Sequence, residues 1–420
     1  MSHPQPSVTA DDVEQAAARL AGVIAPSPLV HSARLSAATG FEVWLKREDL
    51  QAVRSYKARG AYNLISQLDD DQRARGVVCA SAGNHAQGVA FACAALGVRA
   101  EIYLPRTTPR QKRERVARLG GEVVTTVVGG DTFDDAARAA RARAEETGRA
   151  LIPPFDDPRT VAGQGTAIRE LVDQMSAPPD HVVVPVGGGG LLAGAAAWLG
   201  ERSPSTGLIG VEPAGAASMT AALHHGAPVE LATVDGFVDG AAVRRVGDVN
   251  HAIVAASGAT VTVVPEGAVC VEMLALYQSD GIVAEPAGAL ASSALMSLDL
   301  GIAPGATVVC VLSGGNNDVS RYADVVERAL VHEGLKHYFL VEFPQEPGAL
   351  RQFLDVVLGP EDDITLFEYT KRSERETGPA LVGIELSRAE DLPALLERMT
   401  RVPHQIEPVP PGSPIARFLL

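Results

Sequence analysis

The sequence predicts an α/β protein built on a mostly parallel, doubly wound sheet, followed by a smaller α+β segment. Three observations carry this expectation. Short apolar runs alternate with stretches of helical period from Glu42 to about Leu330. Glycine-rich turns follow three of those runs directly, at the carboxyl ends of strands, where open α/β sheets place their ligands. From about Leu335 the order changes to strand, helix, strand, strand, helix, strand, which is ferredoxin-like.

The first element reads as a helix, with Thr9 as its cap and Val13, Ala17 and Leu20 on one face. Next comes Arg54-Ser55-Tyr56-Lys57-Ala58-Arg59-Gly60-Ala61. Ser55 is a potential N-cap, and Ala61, Leu64, Ile65 and Leu68 continue at helical spacing. Lys57 therefore falls in a first helical turn, where exposed N–H groups disfavour an ammonium. A neutral amine is what Schiff-base chemistry needs; a solvated surface lysine is the plain alternative. A strand over Gly76–Ala80 then meets Ser81-Ala82-Gly83-Asn84-His85-Ala86-Gln87-Gly88. The helix after it carries Val89, Cys93 and Leu96 on one face and closes at Gly97. Such a turn offers N–H groups to an anion such as a carboxylate, although an ordinary capped turn has the same composition.

The strand His181–Val186 runs straight into Gly187-Gly188-Gly189-Gly190-Leu191, with a helix expected over Ala193–Leu199. Consecutive glycines are costly in conformational entropy. Close approach of backbone to a phosphate at a helix N-terminus explains them better than a simple connection. Gly188, Gly190 and Ala193 also satisfy a dinucleotide-binding pattern, with Glu212 as its ribose-binding acid. A nicotinamide-dependent dehydrogenase thus stays open, but it leaves Lys57 and the Asn84 turn without a task. The glycines are not followed by the Lys-Ser/Thr pair of a nucleoside-triphosphate loop. A third apolar strand, Thr307–Leu312, precedes Ser313-Gly314-Gly315-Asn316-Asn317.

In this order, the four motifs resemble the fold-type II pyridoxal-phosphate enzymes, the group related to the tryptophan synthase β subunit, and within it the threonine dehydratases (threonine ammonia-lyases). The resemblance runs from about Leu29 to Arg328. It implies a large catalytic domain from residues 1–50 and 151–328, a small one from 51–150, and pyridoxal 5'-phosphate between them. Lys57 matches the Schiff-base lysine and Asn84 the asparagine bonded to the cofactor's phenolic oxygen. Gly187, Gly188, Gly189, Gly190 and Leu191 match the phosphate loop, and Ser313 the partner of the pyridine nitrogen. Glu285, in Ala284-Glu285-Pro286-Ala287-Gly288, resembles an acid facing the cofactor ring, with a structural ion pair as its other reading. Ser81, Ala82, Gly83 and His85 would surround the substrate carboxylate, and Gly240, in Asp239–Val243, would line the same cleft.

The implied reaction is deamination of L-threonine to 2-oxobutyrate and ammonia, the first step of isoleucine biosynthesis. Lys57 would remove the Cα proton while the cofactor acts as electron sink. A serine at the ring nitrogen suits loss of the β-hydroxyl over transamination. Serine dehydratase or racemase chemistry is the neighbouring alternative. Serine racemases carry a serine where this chain has Ala82, and alanine cannot move a proton. Some relatives bind a divalent cation with an acid like Glu212 and an aspartate six positions on; that position here is Ser218, so no metal is expected.

Beyond Leu335, strands are expected at Tyr338–Phe343, Asp363–Thr370 and Ala380–Leu386, with a turn at Glu376-Thr377-Gly378. Helices are expected at Ala349–Leu358, with Leu350, Phe353, Leu354 and Val357 on its apolar face, and from a Ser387 cap to Met399; a last strand starts at Gln405-Ile406-Glu407. With Glu346-Pro347-Gly348-Ala349-Leu350 after the first strand, residues 335–420 resemble the ACT-like regulatory domain of biosynthetic threonine dehydratases, in a single copy. That implies isoleucine and valine as effectors and a homo-oligomer, a tetramer. A dimerisation module without a ligand is the plain alternative. Net charge is −15, which argues against nucleic acid or an anionic membrane as partner. The basic run Arg106–Arg118 reads as a solvated helix face. Cys79, Cys93, Cys270 and Cys310 lie in apolar segments without metal spacing and read as thiols of a reducing compartment. With no signal-like start and no membrane-length apolar run, the expected location is the cytoplasm.

Overall fold

The computed structural model describes residues 8–369, 376–410 and 412–419. The chain divides into two compact units, Met1–Asp318 and Val319–Leu420. In the first, a six-stranded sheet runs in the order Leu29–His31, Glu42–Arg47, Thr307–Leu312, His181–Pro185, Gly207–Pro213, Thr260–Val264. Leu29–His31 pairs antiparallel to its neighbour; every other pair is parallel. The central strands are apolar throughout because helices cover both faces: Val182, Val183, Val184, Val308, Val309 and Val311 are all buried.

A second sheet, wholly parallel, orders Val124–Val128, Ala100–Leu104, Val77–Ala80 and Ala150–Leu151. Its strands come from the chain between Glu42–Arg47 and His181–Pro185 of the larger sheet. Each sheet has its own core, one around Val184, Val309 and Leu192, the other around Cys79, Ile102 and Leu64. All four cysteines are buried free thiols. Among the described residues no helix is long and apolar enough to cross a membrane.

Several boundaries depart from the sequence expectation. The first helix, Ala10–Leu20, has Thr9 in a capping box with Asp12, but its buried stripe is Ala10, Val13, Ala16 and Leu20, so Ala16 replaces Ala17. The helix expected from Ala193 begins at Gly190, inside the glycine run.

The C-terminal unit holds an antiparallel sheet ordered Asp363–Tyr369, Thr377–Glu385, Lys336–Pro344, Gln405–Pro408. Helices Ala349–Val357 and Leu392–Met399 complete the βαββαβ order. The core is Phe339, Val341, Phe353, Val382, Ile384 and Leu395 with their neighbours. Thr370, the expected end of one strand, lies outside the described residues. Thr377 and Gly378, expected in a turn, are instead paired in register with Pro344 and Phe343. Ser387 caps no helix: a 3-10 turn, Ala389–Asp391, intervenes, and Pro393 sits in the first turn of the helix that begins at Leu392. Leu350 and Leu354, expected on the apolar face, are 41% and 37% exposed. They line a shallow cleft of about 350 Å³ with Phe343, Phe367 and Tyr369.

Candidate active site

The helix Lys57–Ile65 is buried from Ala58 onward, and its start is set by backbone rather than by a side-chain cap. Tyr56 N donates to Ser313 O at 3.1 Å and Gly315 N to Arg54 O at 3.0 Å, while Ser55 bridges to Gly314. The expected Ser55 cap is therefore wrong. Tyr56 occupies the cap position with no side-chain bond, and the Ser55 hydroxyl is buried without a hydrogen-bond partner. Pairing with Gly314 draws Ser55 out of capping geometry. Arg54, just before it, holds a φ of 54°, a strained conformation for a side-chain-bearing residue.

Neighbouring helices approach this one backbone to backbone. A Cβ on Gly88 would lie 2.9 Å from Lys57 O, and one on Gly163 would lie 2.7 Å from Gly60 Cα. Two residues beyond Lys57, the Arg59 guanidinium meets Glu48 at 2.8 Å and Glu170 at 3.0 Å. Glu170 in turn holds Lys46 at 2.5 Å. Lys57 Nζ projects into a cleft of about 900 Å³, donates to Pro154 O at 3.3 Å and lies 5.1 Å from the Tyr56 ring centre.

Asn84 enters the same cleft at the start of the helix Asn84–Leu96, which closes at left-handed Gly97 as expected. Gly83 holds the cap position without a side-chain bond, so first-turn N–H groups lack intrahelical partners. Ser81 Oγ accepts from Gly83 N at 3.2 Å, shaping the turn. Asn84 Nδ2 donates to Glu285 Oε1 at 2.6 Å, and Asn84 Oδ1 accepts from Asn316 Nδ2 at 2.7 Å, which fixes the amide's orientation. Glu285 thus has an amide partner where an ion pair was the other reading. Burial, with Asp239 nearby, pushes its carboxyl up to about 7, although the Asn84 bond opposes the shift. The His85 ring turns to Ile152 O at 3.0 Å, and burial together with the Lys57 charge pulls its pKa down to about 3. Its imidazole is neutral.

The glycine run lines the same cleft. Gly189, with φ +89°, precedes the helix Gly190–Arg202, and a Cβ on Gly188 would overlap the Phe155 ring. Ala82, Leu191 and Gly240 also line the cleft. Ser313 is not among the lining residues: it is buried, with its hydroxyl 3.4 Å from Ala287 O. Glu212 is no ribose-binding acid. Its carboxylate is buried and accepts from Met219 N at 2.5 Å and Thr220 N at 2.8 Å, capping the helix Ser218–His225. That removes the basis of the dehydrogenase alternative.

Four contributing residues were not anticipated. Pro154 and Phe155, on a segment that reads only as a proline-rich loop, support Lys57 Nζ and pack on Gly188. Lys112 lines the cleft and pairs with Asp239 at 2.8 Å; in its basic run Arg106, Arg110 and Arg118 face solvent as expected, but Arg113 and Arg115 are half-buried. Asn250 donates to Gly188 O of the glycine loop at 2.7 Å; an asparagine inside a helix leaves no sequence signal of that.

One cleft is lined by a primary amine, a side-chain-free helix N-terminus, an amide of fixed orientation and a buried carboxyl. These parts fit a pyridine aldehyde phosphate: the amine for the aldehyde, and the glycine N–H groups and helix dipole for the phosphate. Residues 20–314 match the family described as pyridoxal-phosphate dependent enzyme, and the chain belongs to that family. Residues 327–419 match the C-terminal regulatory domain of threonine dehydratase. At full length the chain groups with the biosynthetic L-threonine dehydratases. It is 60% identical to that of Mycobacterium tuberculosis over 100% of this chain and 98% of the relative. The Bacillus subtilis protein is 49% identical over 92% of this chain and 91% of its own. Among solved structures, the processed threonine deaminase isoform 2 of Solanum lycopersicum superposes with a TM-score of 0.71 at 37% identity, covering 78% of this chain and 98% of that one. Maize serine racemase gives 0.71 at 30% identity, covering 78% and 99%.

Proposed function

We propose that this protein deaminates L-threonine to 2-oxobutyrate and ammonia with pyridoxal 5'-phosphate, in isoleucine biosynthesis. The observation that carries the reading is the shared cleft of the Lys57 amine and the Gly187–Gly190 loop. The names of the full-length relatives support the substrate.

In this reading Lys57 would anchor the cofactor, Gly187–Leu191 would hold its phosphate, and Asn84, bonded to Glu285, would serve its phenolic oxygen. Ser313 would reach the ring nitrogen by exchanging its long bond to Ala287 O, presenting a neutral partner. When bound, the cofactor supplies an electron sink for the charge developed at the substrate Cα. N–H groups of the turn Ser81–His85 hold the substrate carboxylate, and Gly240 closes the pocket beside it. His85 contributes through the backbone, since its ring is committed to Ile152 O. Freed when the substrate amine takes its place, Lys57 Nζ would take the Cα proton and deliver a proton to the departing β-hydroxyl, which leaves as water. The released enamine tautomerises and is hydrolysed, so the water lost is regained and no oxidant or reductant is consumed. Ala82 offers no group to return a proton, which favours elimination over racemisation.

The C-terminal unit would carry regulation by isoleucine and valine, and the working form would be a homotetramer in the cytoplasm. Lys57→Ala is expected to abolish both the absorbance of lysine-bound cofactor and threonine turnover. Survival of either would refute the assignment.

A further inference from the structure

Asn250 lies in the helix Asp248–Ser257 and is fully buried. Its Nδ2 donates to Gly188 O at 2.7 Å and to Phe155 O at 3.2 Å. Gly247 N also reaches Gly188 O, at 3.2 Å. Asp156 accepts from Asp248 N at 3.1 Å and Val249 N at 3.0 Å, placing a carboxylate at that helix's N-terminus, where the dipole favours it. Three distant stretches, 154–156, 187–190 and 247–250, are therefore interlocked around one amide.

The orientation of that amide is forced. Both acceptors are carbonyl oxygens, so a flip would set Oδ1 against them. Oδ1 itself is buried and finds no protein partner, a cost borne by the fold. The C=O and N–H of a trans peptide point in opposite directions. Drawing Gly188 O back onto Asn250 therefore aims the Gly189 N–H the other way, away from Asn250, in a loop that lines the cleft. The second bond acts on Phe155, whose neighbour Pro154 seats Lys57 Nζ at 3.3 Å.

We propose that Asn250 is a positioning residue that sets the Gly188–Gly189 peptide for a phosphate monoester. This rests on reading the Gly187–Gly190 loop as the phosphate cradle. The test titrates the cofactor-free full chain separately with pyridoxal phosphate and with pyridoxal, which lacks the phosphate. The parent is expected to prefer pyridoxal phosphate; equal affinities would overturn the cradle, and the inference with it. Given that preference, Asn250→Ala is expected to reduce it by about tenfold, or about 1.4 kcal/mol, while pyridoxal binding is unchanged. Asn250→Leu, near in volume and without a donor, is expected to do the same and serves if the alanine variant fails to fold. An intact preference, or equal losses for both ligands, would show a purely structural role and overturn the proposal.

Discussion

Glu285 is a buried carboxyl that keeps its proton to about pH 7, against an ordinary value of 4.5. Between those limits the folded protein binds more protons than the unfolded chain, so this group's contribution to stability falls as pH rises through the window. The full effect is about 3 kcal/mol. Glu285→Gln keeps an acceptor for Asn84 and removes the titration. The cofactor-free variant is expected to melt a few degrees above the parent at pH 8 and to match it near pH 4.5; parallel melting curves at both pH values would reject the assignment. Lys57 and Asn84 were legible because strand-to-helix turns announce themselves through glycine and polar residues. The direction of the His85 ring was not, because it depends on Ile152 O, which lies 67 residues away.

At the level of elements, the Lys57 helix depends on charges taken out of water. Arg59 and Glu48 are 2% and 0% exposed by side chain. Removing one partner strands the other, at a cost of about 3–5 kcal/mol. Arg59→Met should therefore lower the urea midpoint sharply, and adding Glu48→Gln should recover part of the loss. A single variant as stable as the parent would show the pair to be dispensable. Periodicity in the sequence located this helix but not its neighbours in the network. Helix starts were the weakest expectations: the backbone of Ser55 bridges to Gly314 and leaves its hydroxyl without a partner, whereas the Ser387 hydroxyl donates to Glu361 O.

Across the whole molecule, the two units carry separate cores, and the change of period near Leu335 marked the second one in the sequence. The exposure of Leu350 and Leu354 was not legible, because helical spacing says which residues share a face but not what covers it. A chain ended after Asp318 is expected to keep threonine deamination and to lose the response to isoleucine. Equal isoleucine titrations for the short and full-length forms would remove the regulatory role.

The close approach of glycine backbones around the Lys57 helix bears on how this enzyme changes over generations. At Gly88 and Gly163 the smallest added side chain meets main chain, which cannot rotate away as a rotamer can. A mutation there would displace the helix that carries the lysine and be scored as a lost activity, although neither position bears a side chain that could touch a substrate. Changes of substrate preference that leave the lysine in place are expected instead at cleft-lining side chains such as Asp239 and Val243, while the lysine and its supports are inherited as one piece.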